Sequence, residues 1–171
     1  MAKIQPGRHM ADLPTDGEVV VFVIGMRINR LLMPWKWVPV AFAMPRMLVE
    51  LAKRPELGLM GRPRTFVSGR TVVLIQYWRS FEDLERYSRA NDLAHLPAWR
   101  AFNKNVRDNG TVGIFHETYR VPYDRIETVY GNMPPFGLAQ ALGSRKVGGG
   151  SQSAAERLQV RTGDVPPVDP Y

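Results

Sequence analysis

The amino-acid sequence predicts an α+β fold of the ferredoxin-like type, a split β-α-β arrangement in which one antiparallel sheet carries helices on one face. Three observations support this prediction. Four apolar segments have the length and composition of strands, helical patterns follow the first and third of them, and a tight Gly-containing pair joins the second to the third. The resulting order of elements is β-α-β-β-α-β.

The first strand and the first helix of this motif lie within residues 18–53. Residues 18–28, EVVVFVIGMRI, form a continuous apolar run rich in valine, which is typical of a strand covered on both faces. Residues 40–53 place apolar side chains among good helix formers, and Pro55 follows as a stop signal. We expect Pro45 to limit or kink this helix.

The second half of the motif follows a stretch punctuated by glycine and proline. Strands near 60–67 and 71–78 flank a Gly-containing pair, which is typical of a hairpin. Ser80, with Asp83 three residues later, resembles a capping box and predicts the start of a helix. The chain continues helically over residues 92–106 after a break. TVGIFHETYRV is the last long strand, and RIETVYGN is a shorter candidate for another.

Two features bear on the organisation of domains and subunits. Because the strands are apolar on both sides while the helices cover one face, we expect a second copy of the chain to cover the other face, giving a homodimer. From Gly143 onward the sequence becomes rich in Gly, Ser and Pro and loses its aromatic core residues. It therefore predicts one domain over residues 1–142 and a flexible, disordered tail over residues 143–171, apart from a short helix at 153–160.

The composition excludes several classes of function. The chain of 171 residues has no cysteine, which excludes disulfide scaffolds, thiolate catalysis and cysteine-ligated metals. The segment that comes closest to a membrane span, residues 31–51, contains three prolines and several charged residues, so we expect a cytoplasmic protein without a membrane span. The net charge of +7 comes from singly scattered basic residues, so nucleic acid is not an expected partner.

His95 is the first candidate for chemistry, because helical spacing places it on one face with Trp99 and Phe102. One interpretation is a core histidine whose ring nitrogen bonds a backbone carbonyl. The other is an axial ligand to heme, since a neutral imidazole in an apolar aromatic wall suits an iron porphyrin. Trp78, at the end of the third strand, is compatible with such a wall and equally with an ordinary core.

His116 is the second candidate, and it stands beside Glu117 in the last strand. Strand alternation sends these two side chains to opposite faces, so we do not expect a His-Glu dyad. His116 lines a pocket between sheet and helices, belongs to a polar pair at a strand end, or is a buried histidine with satisfied hydrogen bonds. Arg27 and Asn29 close the first strand on one face, where they either donate hydrogen bonds to a substrate or remain solvated.

The segment NMPPFGL, residues 132–138, is either a lid or a clasp at the dimer interface.

Three stretches of the sequence resemble the monooxygenase-like family of the dimeric α/β-barrel superfamily. They are VVFVIGMRINR, YWRSFEDLERYSRANDLAHLPAWRAFNK and GIFHETYRVPYDRIETVYGNMPPFGL, and the resemblance covers residues 5–142. It implies a ferredoxin-like fold that pairs into a dimeric α/β barrel. The superfamily includes cofactor-free monooxygenases, heme-degrading monooxygenases, chlorite dismutases and heme-containing aldoxime dehydratases.

The resemblance also implies roles for individual residues. The W-x-S-x-x-x-L pattern at residues 78–84 resembles the segment that precedes the heme-ligating histidine of several members, which places His95 as the iron ligand. His116 is similar in placement to the distal histidine of aldoxime dehydratases, an acid and base toward the substrate hydroxyl. Arg27 or Arg79 is the candidate for their distal arginine. Those enzymes are about twice as long as this chain, so a dimer would be needed to build the same architecture.

Three functional hypotheses follow. The first is a heme-binding, monooxygenase-like oxidoreductase that acts on a small apolar substrate, with an aldoxime-dehydratase-like lyase as the alternative reaction. The second is a cofactor-free monooxygenase that binds a phenolic substrate through Asn29, Trp78 and one of the histidines. The third is a non-enzymatic dimer that binds a small molecule. For the first hypothesis, the expected catalytic residues are His116, Arg27 and Asn29, and the expected cofactor-binding residues are His95, Trp99, Trp78 and Phe102.

Overall fold

The computed structural model of the chain describes residues 3–106 and 109–159. In chain order the strands and helices are β1 Gln5–Ala11, β2 Glu18–Ile28, α1 Pro34–Lys53, β3 Leu59–Ser68, β4 Thr71–Trp78, α2 Phe81–Arg89, α3 His95–Asn105, β5 Val112–Pro122, β6 Tyr130–Met133, α4 Leu138–Leu142, β7 Ser144–Lys146 and α5 Ala154–Arg157. They form two units. One is Val20–Arg120, and the other comprises the described parts of Met1–Val19 and Val121–Tyr171.

A four-stranded sheet in the order β3-β4-β2-β5 dominates the unit Val20–Arg120. Both β2 and β3 run antiparallel to β4, with Gly25 opposite Val73 on one side and Phe66 opposite Val73 on the other. Each helical connection links two strands that are separated by a third, β2 to β3 across β4 and β4 to β5 across β2. This is the split β-α-β order, so the predicted ferredoxin-like α+β fold is confirmed. Within one chain the sheet stays open and does not close into a barrel.

The helices of this unit cover one face of the sheet. A central cluster of buried side chains from β2, β4, α1, α2 and the segment before α3 consists of Val20, Met47, Leu51, Trp78, Leu84, Tyr87 and Leu93. A second cluster of Met26, Val106 and Val112 has Phe102 and Ile114 packed against it. Full burial of a large apolar side chain contributes about 1.5–3 kcal/mol, so these clusters hold the helices on the sheet.

Local signals located most of these elements correctly. The hairpin between β3 and β4 turns at Gly69, whose φ of +56° favours glycine. The Ser80 hydroxyl accepts a hydrogen bond from the backbone N–H of Asp83 at 3.1 Å, which caps α2 as predicted. Helix α1 begins at Pro34, earlier than predicted, because proline is well tolerated at the first helical position. Pro45 lies inside α1 and does not end it.

A separate three-stranded sheet, in the order β6-β1-β7, belongs to the discontinuous unit. Strand β1 has no counterpart among the predicted strands. Its segment, QPGRHMA, contains a proline and a glycine and lacks apolar alternation, and its partners come from the far end of the chain. Gln5 lies opposite Met133, and Met10 lies opposite Arg145. A strand that depends on such distant partners gives no local signal.

The predicted tail contributes secondary structure to the same unit. Strand β7 pairs with β1, and α5 begins with a capping box formed by Ser153 and Glu156. The Arg157 side chain, only 7% exposed, lies with its Nε 2.6 Å from a carboxylate oxygen of Glu127. Residues 160–171 lie outside the described residues, and the domain boundary at residue 142 remains a prediction.

Candidate functional site

His95 is the first residue of α3, and its half-buried ring reaches back to α2. Its Nδ1 lies 3.0 Å from the backbone carbonyl oxygen of Ser88, and its ring centroid lies 6.0 Å from that of Tyr87. Because a carbonyl only accepts hydrogen bonds, Nδ1 carries the hydrogen and the lone pair is on Nε2. Metal-ligating histidines typically donate their other ring N–H in this way. The arrangement leaves His95 able to bind a metal through Nε2.

The carboxylate of Glu50, on α1, holds two residues next to His95. Tyr87 lies beside its ring, and Ala94 precedes it in the chain. Glu50 accepts hydrogen bonds from the Tyr87 hydroxyl and from the backbone N–H of Ala94, each at 3.0 Å. Ala94 is the N-cap residue of α3 and makes no side-chain cap, so Glu50 supplies an acceptor at a helix start that otherwise lacks one. A negative charge at a helix N-terminus is also favourable toward the helix dipole. Sequence reasoning missed Glu50 because its partners lie 37 and 44 residues away.

The Tyr87 hydroxyl makes the stability of this junction depend on pH. Burial, followed by the bond to Glu50, raises the pKa of Tyr87 above its ordinary value of 10.0. Since the pKa is raised on folding, the neutral phenol contributes stability that is complete below pH 10 and declines as the pH rises further. We expect Tyr87→Phe to lower the free energy of unfolding by about 1.5–3 kcal/mol at pH 7, and by less at about pH 11.

Urea unfolding of wild type and Tyr87→Phe at the two pH values measures this difference. Tyr119→Phe is the control, because that hydroxyl bonds a carboxylate on the exposed surface and its loss should cost much less. An equal loss of stability for Tyr87→Phe at both pH values would contradict the assignment.

His116 projects from β5 toward the helix-bearing face of the sheet. Ile114, two residues away and therefore on the same face, packs against the second cluster. The exposed ring of His116 lies 5.6 Å from that of Phe22, which packs against the central cluster. Its ring nitrogens make no hydrogen bond to the described part of the chain. His116 is thus a free imidazole at the edge of the same cluster that contains Tyr87, the neighbour of His95.

Glu117 lies on the opposite face, as strand alternation predicts. One of its carboxylate oxygens accepts a hydrogen bond from the Tyr119 hydroxyl at 2.5 Å. Both side chains are exposed, and this bond is the main reason why the pKa of Tyr119 is raised. On the same face, Phe115 lies so close over Gly25 that a Cβ there would come within 2.6 Å of the Phe115 ring. His116 and Glu117 therefore do not form a dyad.

Arg27 and Asn29 are not brought together with His116. A Cβ on Gly113 would lie 3.9 Å from the Cβ of Arg27 and 3.7 Å from Nδ2 of Asn29. Gly113 and His116 are three residues apart in β5 and therefore lie on opposite faces of the sheet. Arg27 and Asn29, next to Gly113, thus lie on the face away from the helices. The Arg27 guanidinium is also 3.4 Å from the Thr71 hydroxyl. Roles for Arg27 and Asn29 beside His116 remain predictions that this geometry does not support.

The aromatic residues separate into a core member and a surface pair. Trp78 is 1% exposed, and its Nε1 donates a hydrogen bond to Oε1 of the buried Gln76 at 2.9 Å. Trp99 is 45% exposed and stacks on Phe102, with ring centroids 5.7 Å apart. Arg79, the second candidate for a distal arginine, precedes α2 and forms a salt bridge with the buried carboxylate of Asp83. Trp99 and Phe102 both lie on α3, the helix that begins at His95, and Phe102 also packs against the second cluster.

Neither a metal site of several protein ligands nor a membrane-spanning helix occurs among the described residues. No group of three or more His, Cys, Asp or Glu side chains within residues 3–106 and 109–159 could hold a metal ion. A heme, by contrast, needs only one protein ligand to its iron. No helix in the described ranges is both long enough and apolar enough to span a bilayer.

Comparison with known proteins identifies a family. The model of the family described as monooxygenase af470-like matches residues 19–138. Monooxygenase af470 of Aspergillus fumigatus is 27% identical over 165 residues, an alignment that covers 82% of this chain and 56% of the fungal protein. The chain thus spans little more than half the length of that relative.

Solved structures give an independent comparison of the fold. An aldoxime dehydratase crystallised with butyraldoxime aligns with a TM-score of 0.59 and 15% identity, over 80% of this chain and 40% of the enzyme chain. SnoaB, a cofactor-independent oxygenase from Streptomyces nogalater, aligns with a TM-score of 0.42 and 16% identity, over 60% of this chain and 91% of its own. The first alignment shows a shared fold.

Proposed function

This chain belongs to the monooxygenase af470-like family, and from that premise we propose that it is a heme-binding, monooxygenase-like enzyme acting on a small apolar substrate. The substrate would bind on the helix-bearing side of the four-stranded sheet. The observation that supports heme is the hydrogen bond between Nδ1 of His95 and the Ser88 carbonyl, because it leaves Nε2 free as a ligand. Family membership alone would not specify the cofactor, since one fold supports several chemistries.

The donor set fits a heme. Heme iron takes a strong axial nitrogen ligand from the protein, and the porphyrin requires apolar surface. His95 offers the nitrogen, and the stacked pair of Trp99 and Phe102 offers aromatic surface on the same helix. Trp78 does not fit a cofactor wall because it is enclosed in the core. When bound, heme would supply a redox-active iron centre.

His116 is the residue to which we assign proton transfer. Histidine is the side chain most often used as a general acid or base, and this ring is exposed and unbonded within the described chain. In oxygenation it would take the proton from a substrate hydroxyl. In the alternative dehydration of an aldoxime it would give a proton to the leaving hydroxyl, which departs as water as the N–O bond breaks, and then take the proton from carbon as the nitrile forms. Either role requires one free ring nitrogen on the substrate side.

The spectrum of the protein with added hemin tests the cofactor assignment. We expect a saturable Soret band in wild type, its loss in His95→Ala, and its retention in His116→Ala, since His116 does not hold the iron in this proposal. The variants are compared by titration of hemin at equal protein concentration. A band that His95→Ala does not change, or no saturable band in wild type, would refute heme binding through His95.

The cofactor-free alternative finds less support in the geometry. It requires Asn29, Trp78 and a histidine to contact one phenolic substrate. Asn29 lies on the face away from the helices, and Trp78 is enclosed in the central cluster. These residues therefore do not surround one space in the described chain.

We further propose that the chain forms a homodimer through the sheet face away from the helices. Phe66, 46% exposed, lies opposite Val73 on that face. Val67 is 71% exposed and lies opposite Val72, which packs against the second cluster. Val67 is therefore on the helix-bearing face. We expect Phe66→Glu to shift the protein toward monomer in sedimentation equilibrium, because a charge would be buried in the interface. The adjacent Val67→Glu should leave the association unchanged, and equal effects of both changes would contradict this interface.

A further inference from the structure

The discontinuous unit contains a cavity of about 550 Å³ that is open to solvent, with a volume in the range of small-molecule sites. All its lining residues belong to that unit, so it is distinct from the residues assigned to heme and proton transfer. Its walls combine the basic side chains of Lys3, His9 and Lys146 with the apolar Ile4, Pro6 and Pro135 and the amide of Gln5. Pro135 comes from the NMPPFGL segment that the sequence analysis singled out.

His9 gives this cavity a polar group without a partner. The residue is 8% exposed in β1, the central strand of its sheet, and its Nδ1 is buried with no hydrogen-bond partner. A buried N–H without an acceptor is rarer and more costly than an unused lone pair, so the hydrogen belongs on Nε2. The donor of this cavity-lining ring is therefore Nε2, and the unpartnered Nδ1 keeps its lone pair.

Two ammonium groups accompany this donor. Lys146 is the cross-strand partner of His9, and Lys3 is a further lining residue of the cavity. Neither lysine makes an ion pair within the described residues, and no carboxylate lines the cavity. The three groups are all suited to receive a negatively charged oxygen, whereas the remaining walls are mainly apolar.

We propose that this cavity binds a small organic anion, a carboxylate carried on an apolar body. The carboxylate would lie between Lys3 and Lys146 and accept the hydrogen of His9, and the apolar body would contact Ile4 and the prolines. The proposal does not depend on heme or on the assignment of His116, because none of those residues lines the cavity.

Calorimetric titration of the full chain with 2-naphthoate, and with 2-naphthamide as its uncharged analogue, tests the proposal. We expect the acid to bind at one site per chain and the amide to bind about tenfold more weakly, since a charge-assisted contact is worth a factor of this order. The double variant Lys3→Gln/Lys146→Gln should lose the same factor for the acid. Its matched control is Lys53→Gln/Lys104→Gln, which removes equal charge from exposed positions outside the cavity.

His9→Phe provides a second readout. It removes a buried nitrogen that has no partner, so the variant should unfold at the same temperature as wild type or higher, and yet bind 2-naphthoate about tenfold more weakly. Equal affinity for acid and amide, wild-type affinity in the cavity lysine variant, or no binding of 2-naphthoate at all would overturn the anion site.

Discussion

His116→Phe is expected to lower turnover by a factor of about 10²–10⁴ and to leave heme affinity unchanged. Phenylalanine has a similar size and preserves the ring contact with Phe22, which lies 5.6 Å from His116 between centroids, but it cannot transfer a proton. Heme affinity should stay at the wild-type level because the iron ligand of this proposal is His95. Separate effects on turnover and on cofactor binding would distinguish a catalytic role from a structural one.

Glu117→Gln is the matched control for this variant. It removes a titratable group from the next residue, on the face away from the helices, where the carboxylate bonds Tyr119. Turnover is measured as oxygen uptake with a panel of small apolar substrates, and as nitrile formed from butyraldoxime for the dehydratase alternative. Wild-type turnover in His116→Phe, or equal losses in both variants, would remove His116 from the mechanism.

Trp78→Ala is expected to cost about 3–5 kcal/mol of unfolding free energy, the range found for removal of a large buried aromatic ring. The ring is 1% exposed and lies 5.7 Å from that of Tyr87, so its loss opens a cavity in the central cluster. The change also removes the N–H that bonds the buried Gln76, which adds the cost of an unsatisfied polar group.

Trp99→Ala is the matched control, because it removes the same type of side chain from the surface and not from the core. Trp99 is 45% exposed, so less apolar surface is returned to water and little cavity forms. Denaturant unfolding should therefore show a clearly smaller loss for Trp99→Ala than for Trp78→Ala. Equal losses would contradict the placement of Trp78 in the core and of Trp99 at the surface.

Elements with local signals were predictable from the sequence. The valine-rich run of β2, the glycine turn after β3 and the serine cap of α2 each depend on residues that are neighbours in the chain. β1 and β7 were not predictable in this way, because they exist through pairing with each other across most of the chain. Stretches rich in Gly and Pro can be ordered when a distant strand supplies their hydrogen bonds.

In the candidate site, too, features that depend on nearby residues were predictable and features that depend on distant segments were not. The two interpretations of His95 are compatible, since the bond to a carbonyl expected of a core histidine is also the bond that leaves Nε2 for a metal. Glu50 was missed because its two partners belong to other segments of the chain. Arg27 and His116 lie on opposite faces because of the way β2 and β5 align in the sheet. Alternation within a single strand does not predict that alignment.

The discontinuous unit has a consequence for how the protein is made. Because Val20–Arg120 is continuous, its strands and helices can associate as soon as that part of the chain has left the ribosome. β1 is synthesised before the four-stranded sheet, but its partners β6 and β7 follow that sheet in the chain, so the backbone groups of β1 stay unpaired until both are made. A nascent chain arrested before residue 130 should therefore protect the four-stranded sheet from protease and leave residues 5–11 open to cleavage. β1 would thus be translated before the four-stranded sheet and fold after it.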